Sequence, residues 1–251
     1  MAASLPIEII DVLTTQPGYS ICVKGPPGSC KTTLVLTLLR HLSPKHNGVY
    51  VSARVNVDKL HRTFPWARNC LLQSNIIDVM ACNAESDSSA FELLKYRTNL
   101  GLAQSIYQKI SSLQDPIVFV DSWTEMVRIA SGSSKDLFEM FCDLCLKKGA
   151  RMVLVVETSS QTDLDHLVDG LIEMGTVEHR GHVYRYLQIK KLTGISHDLR
   201  KQLVEVNDEG LEVRGPVNGS DVVGEDWAWD AGRCREVRNG LSHFRRRDVG
   251  W

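Results

Sequence analysis

The 251-residue sequence contains no apolar run near the roughly 20 residues that a membrane-crossing helix requires. Its first residues, Met1-Ala2-Ala3-Ser4-Leu5-Pro6-Ile7-Glu8, lack the basic end and apolar core of a secretory signal. Both absences point to a cytoplasmic protein with no membrane partner. An excess of charge is missing too: 29 Lys and Arg face 30 Asp and Glu, for a formal net charge of −1. That balance argues against a general nucleic-acid coat and leaves open only a local patch. Cys142 and Cys145 have no second Cys or His pair at metal spacing, so they read as two small core residues at i and i+3 rather than a zinc or redox site. The seven cysteines (22, 30, 70, 82, 142, 145 and 234) are odd in number and several lie in apolar segments. Free thiols in a reducing compartment are therefore expected. There is no internal repeat.

What is present starts near the N-terminus. Gly25-Pro26-Pro27-Gly28-Ser29-Cys30-Lys31-Thr32 stands between an apolar run, Tyr19 to Val23, and a helical one, Thr33 to Leu39. This is the strand–loop–helix setting of a phosphate-binding P-loop. Glycines let the backbone curl so that several N–H groups face one anion. A helix starting near Lys31 adds the positive end of its dipole. Lys31 can reach the β- and γ-phosphates, Thr32 can offer a hydroxyl to Mg2+, and Thr33 completes the stretch expected to hold ATP. One residue departs from the pattern, because the place before the lysine, usually Gly, is Cys30. A side chain there stands where bare backbone normally approaches phosphate.

Further along, strands are expected at about 19–24, 49–52, 117–121 and 152–156, with short ones near 76–80 and 168–174. Helices are expected over about 5–13, 31–42, 58–64, 89–113 and 134–148. Pro116-Ile117-Val118-Phe119-Val120-Asp121 is a continuous apolar run ending in a carboxylate, as strands buried on both faces read. Asp121 is the expected Mg2+ partner opposite the P-loop. Segments 184–192 and 203–213 read as meandering antiparallel strands, turning at Asn207-Asp208-Glu209-Gly210. The alternation of strands and helices implies an α/β fold with a parallel, doubly covered sheet, whose ligands bind at the carboxyl ends of the strands. That rule sets the P-loop, Arg54, Asp121 and Glu157 along one edge. From Gly215 the composition turns to a linker type, followed by isolated tryptophans and Arg245-Arg246-Arg247. A nucleotide-binding domain over 1–214 and a weakly ordered tail over 215–251 are expected.

These motifs resemble the RecA-like ATPases, and among them the KaiC-like group. They are similar above all to the P-loop domain of the archaeal gas-vesicle regulatory protein GvpD. The resemblance rests on the P-loop, Val49 to Val55, Phe64-Pro65-Trp66, Phe119 to Trp123, Val156-Glu157-Thr158, Leu167 to Gly170, and Lys190-Lys191-Leu192-Thr193-Gly194 followed by His197. It implies a RecA-like fold with a mostly parallel sheet and late antiparallel strands. It also implies ATP and Mg2+ as cofactors, a ring-like homo-oligomer and a protein partner that is regulated. RecA-like ATPases carry a Glu at the end of the second strand to polarise water; here Ser52-Ala53-Arg54 stands in that place, and an arginine cannot act as a base. The KaiC group carries Lys-x-Arg-Gly near the late strands. Here Lys191-Leu192-Thr193-Gly194 keeps the lysine, which would reach a neighbour's γ-phosphate, and lacks the arginine. Binding elements without catalytic refinements imply a nucleotide-dependent switch with slow or vestigial hydrolysis. Glu157 or Glu125 is the substitute for orienting water, and Arg54 either senses the γ-phosphate or pairs with a nearby acid. The alternative is a DNA-handling RecA paralogue. Its candidate loops follow Asp121 and Glu157, and the second of them is acidic.

Overall fold

Apolar Ile21, Cys22 and Val23 face both sides of Ser20–Lys24 (β1), and all five of its residues are buried. A short strand buried on both sides belongs at the centre of a parallel sheet, and β1 takes that place. In the computed structural model, which describes residues 5–42, 48–69, 75–79, 99–130, 133–179 and 182–216, β1 pairs in parallel with Arg151–Val156 (β5) on one side and Gly170–His179 (β6) on the other. Beyond β5 the parallel order continues through Ile117–Asp121 (β4) and Gly48–Ser52 (β2) to Ile76–Asp78 (β3). Beyond β6 the sheet turns antiparallel through His182–Leu192 (β7), Gln202–Asn207 (β8) and Gly210–Pro216 (β9). Among the described residues this makes a nine-stranded sheet ordered β3-β2-β4-β5-β1-β6-β7-β8-β9.

Alternation along the central strands divides the interior in two. Ile21, Val23, Phe119, Val153 and Val155 pack with Ile7–Thr15 (α1) and Lys31–Leu42 (α2) on one face. Cys22, Val118, Val120, Met152 and Leu154 pack on the other with Asn99–Ser111 (α4), Trp123–Ala130 (α5) and Ser134–Leu146 (α6). Trp123 is the largest fully buried side chain among the described residues. It meets Phe138 and Phe141 edge-on, and its indole N–H donates to Ser134 Oγ at 2.9 Å. Two smaller helices, Val57–Thr63 (α3) and Leu164–Leu167 (α7), lie just past the carboxyl ends of β2 and β5.

The doubly covered parallel sheet with late antiparallel strands matches the expectation from sequence. Three details differ. The residues after Asp121 form α5, an eight-residue helix too short for periodicity to announce. Strand β6 runs to His179, beyond the expected Met174, because β7 pairs with it along its whole length. Strand β9 continues to Pro216. The expected tail from residue 217 onward, the start of the expected helix 89–113, and Cys70, Cys82 and Cys234 lie outside the described residues. Free thiols are found at Cys22, Cys30, Cys142 and Cys145. Burial pushes the Cys22, Cys142 and Cys145 thiols up to about 12, which leaves them inert packing groups. No described helix is long and apolar enough to cross a membrane.

The antiparallel wing reaches back over α2. Thr37 Oγ1 donates to the Thr33 carbonyl (2.7 Å) and accepts the Leu211 N–H (3.0 Å) in a buried site. Gly210, with φ +119°, allows this approach: a Cβ there would lie 2.5 Å from Thr37 Oγ1.

Candidate functional site

The P-loop leaves β1 at Lys24 and closes at the start of α2. Gly25 is required by space, since a Cβ there would lie 2.0 Å from the Met174 carbonyl oxygen of β6. A turn follows, in which the Ser29 N–H and Oγ both donate to the Pro26 carbonyl (3.3 and 2.9 Å). Cys30 has φ +67°, in the left-handed region that favours glycine. Its carbonyl accepts the first helical bond, from Leu34 N at 3.0 Å. A non-glycine residue held there costs about 1–2 kcal/mol. Cys30→Gly is accordingly expected to raise the unfolding free energy by about 1 kcal/mol and to leave phosphate binding no weaker. Denaturant titration and calorimetry check both. A less stable variant would mean that packing of the thiol outweighs the strain.

Lys31 is only 5% exposed. Its ammonium donates to the carbonyls of Gly25 (2.9 Å) and Pro26 (2.8 Å) and to Ser29 Oγ (3.4 Å). Burial lowers its pKa, while Glu157 and Asp121 pull the other way. The cation is thus held at the loop by neutral acceptors, with no carboxylate in hydrogen-bond contact, and a bound anion would complete it. Beside it the Thr32 hydroxyl donates to the buried Asp121 carboxylate. Asp121 Oδ2 also accepts from Tyr50 Oη of β2 at 2.9 Å. Burial raises the Asp121 pKa, against the hydrogen bonds from Thr32 and Tyr50 and the charge of Arg54. Among the described residues no three His, Cys, Asp or Glu gather into a metal-binding group. A hard cation at Thr32 and Asp121 would therefore draw its other oxygens from water or phosphate, as Mg2+ does. The residues fit such an ion.

Arg54 and Glu157 meet above this centre. Ser52 of β2 is in register with Asp121, and the Ala53 N–H donates to the Asp121 carbonyl at 2.8 Å. Arg54 therefore emerges beside β4, and its guanidinium reaches across to form an ion pair and hydrogen bond with Glu157, just past β5. The Glu157 N–H is held by Thr124 Oγ1 (3.1 Å) at the start of α5. Lys31, Thr32, Arg54, Asp121 and Glu157 are thus brought together. Two other residues raised by the sequence are engaged elsewhere. Glu125 accepts from Arg128 one turn along α5 (2.7 Å). Lys191 donates to the Val168 carbonyl (2.5 Å), at the far end of β7 from the P-loop.

Two further contacts were not read from sequence. Lys24, the last residue of β1, forms a buried ion pair with Asp165 of α7, whose other oxygen accepts from Thr162 Oγ1 (2.9 Å). Arg185 of β7 donates from Nε to the carbonyl of Gly28 at 3.4 Å. Its signal lay in the alternation Arg185, Leu187, Ile189, which sets a charge on an apolar face of the strand. The loop after Glu157, acidic in sequence, has its Asp165 committed to Lys24, and it presents no basic surface for DNA.

Residues 9–190 match the family described as the GvpD gas vesicle protein, P-loop domain. Two similar relatives, Protein GvpD2 and Protein GvpD1 of Halobacterium salinarum, are each 26% identical over 241 and 222 residues, covering 91% and 84% of this chain. They are longer proteins, and the chain spans only 48% and 41% of them. In structure the chain is similar to a KaiC-like protein from the hyperthermophilic archaeon Pyrococcus horikoshii, with a TM-score of 0.62 at 17% identity, over 78% of this chain and 90% of that one. That likeness carries the RecA-like fold.

Proposed function

Because the chain belongs to the family of the GvpD gas vesicle protein P-loop domain, we propose that it binds ATP with Mg2+, hydrolyses it slowly or not at all, and uses the bound state to regulate a protein partner. Lys31 and the backbone N–H groups of residues 25–33 hold the phosphates, and Thr32 and Asp121 hold the metal. When bound, Mg2+ neutralises charge on the β- and γ-phosphates. Arg54, which follows β2 beside Asp121, senses the γ-phosphate, and Glu157 is the carboxylate left to orient water. In a ring of copies, Lys191 turns from its own backbone toward a neighbour's γ-phosphate. The process we propose is regulation of a gas-vesicle type, in the cytoplasm; what supports it is a family description that names a gas vesicle protein. The proposed division is a nucleotide domain over 1–214 and a tail from 215, of which residues 215 and 216 still belong to β9.

Slow turnover is supported above all by the Arg54–Glu157 pair. A general base needs a free lone pair within reach of the attacking water. Arginine has none, and the nearest carboxylate is already committed to it. Wild-type turnover is expected below about 1 s⁻¹, under the usual enzyme range, and Arg54→Glu is expected to be neutral or activating. Phosphate release under saturating ATP and Mg2+ measures both. A wild-type rate well above that figure would show that another base does the work, and a collapse of the rate in Arg54→Glu would show that Arg54 itself serves hydrolysis.

A further inference from the structure

One cation beside the phosphate cradle has no part in the metal and γ-phosphate chemistry. Arg185 stands opposite Thr176 of β6 and Val204 of β8. Directly paired residues on antiparallel strands share a face, and Val204 belongs to the core that includes α2. Leu187 and Ile189, two and four residues on, belong to it as well. Arg185 therefore projects on the α2 side of the sheet, at the strand end level with the P-loop. Its Nε is fixed on the Gly28 carbonyl. The side chain is exposed, and its two Nη groups carry no hydrogen bond or ion pair among the described residues. A Cβ built on Gly28 would meet nothing within 4 Å, so open space adjoins the loop where the guanidinium is tethered.

The strand order tells which end of a nucleotide would lie there. Arg54 and Glu157 follow β2 and β5 and Asp121 ends β4, all on one side of β1, while β6 and β7 lie on the other. The Thr32 hydroxyl turns to Asp121, which would set a metal on the β4 side. A metal held there would neutralise charge on the β- and γ-phosphates, while the loop amides would take the α- and β-phosphates. The γ-phosphate would thus point toward β4, and the nucleoside toward β6 and β7.

We propose that Arg185 holds the nucleoside end of the bound nucleotide, its planar guanidinium stacked on the base while Nε keeps it tethered to the P-loop. A guanidinium is suited to this because it is flat, permanently charged and weakly hydrated, so it stacks where an ammonium does not. The inference rests on the nucleotide-binding reading of the P-loop.

The test is a calorimetric titration of wild type, Arg185→Ala and Arg185→Lys with ATP, ADP and inorganic tripolyphosphate, each with Mg2+. Arg185→Ala is expected to weaken ATP and ADP by the same factor, about tenfold, the size of a partly desolvated cation–π contact. Tripolyphosphate, which has no nucleoside, is expected to bind unchanged, and the unliganded variant is expected to unfold at the wild-type temperature. Arg185→Lys is expected not to restore ATP binding. An equal loss for tripolyphosphate would make Arg185 a phosphate ligand or a loop support, and a loss for ATP alone would assign it to the γ-phosphate. Unchanged nucleotide affinities would remove it from the site. If wild type binds neither ATP nor tripolyphosphate, the P-loop reading fails and this inference with it. If wild type binds both and the Arg185 variants match it, only the inference fails.

Discussion

Lys31→Ala is expected to weaken ATP binding by at least about 100-fold while leaving the fold intact. The lysine ammonium is the buried positive charge inside the loop, and its contacts are two carbonyls and a serine hydroxyl. Charge-assisted hydrogen bonds contribute roughly 1.5–3 kcal/mol each. Losing two of them to phosphate removes about 3 kcal/mol or more, which is a hundredfold or greater change in affinity. The stability cost is small, because burial already lowers the lysine pKa and removing the ammonium also removes a desolvated charge. Calorimetric titration with ATP, paired with a thermal melt, separates the two effects. An unchanged ATP affinity in a folded variant would dismiss the P-loop as the binding site.

Asp165→Asn is expected to have the opposite profile, with a large loss of stability. The Lys24 and Asp165 side chains are 6% and 8% exposed, so removing the carboxylate strands a buried ammonium. Breaking one side of such a pair costs about 3–5 kcal/mol, a large fraction of a typical domain's stability. Replacing both members by apolar residues of similar size, as in Lys24→Met with Asp165→Leu, is expected to restore most of it, since pair desolvation is then avoided too. The pH dependence follows from the direction of the shift. Burial by itself raises the Asp165 pKa, but the hydrogen bonds from Lys24 and Thr162 and the lysine charge outweigh it, and the net shift is downward. A carboxyl depressed in the folded state contributes in full above its unfolded value of about 3.9. That contribution declines as pH falls from there through the lowered folded value. Urea unfolding of wild type should therefore weaken relative to Asp165→Asn below about pH 4. Parallel pH profiles for the two proteins would show that the pair adds nothing.

The parts of the site that were legible in the sequence are those carried by contiguous residues. A strand, a glycine-bearing loop and a helix follow one another from Ser20 to Leu42, so local composition suffices to place them. The buried strands β4 and β5 read as apolar runs ended by Asp121 and followed by Glu157, and the rule for ligands at strand ends put both beside the loop. The pairings were not legible, because each depends on which strands become neighbours. Arg54 and Glu157 are 103 residues apart in sequence, and Lys24 and Asp165 are 141 apart. Arg54 meets Glu157 only because β2, β4 and β5 lie side by side, and sequence left a phosphate contact and an ion pair equally open for it. Cys30 was recognisable as a departure from the usual glycine, but only the backbone shows that it keeps glycine's left-handed conformation. Helix α5 escaped notice because its apolar residues follow directly on the strand run of β4, so no periodic break marks its start.

The grip of Thr37 on the β8–β9 hairpin bears on where the chain can be cut. Thr37 lies one helical turn after Thr33, and Leu211 lies 174 residues away from it. The helix that ends the phosphate cradle thus has its outer wall supplied by some of the last residues of the sheet. A fragment drawn from residue 5 to the end of β7 would hold every residue of the P-loop, Asp121, Glu157 and Arg185. Yet it would leave the buried Thr37 hydroxyl without its donor and uncover the flank of α2. The minimal nucleotide-binding unit therefore extends through Leu211, and expression boundaries chosen from the motifs alone would stop short of it.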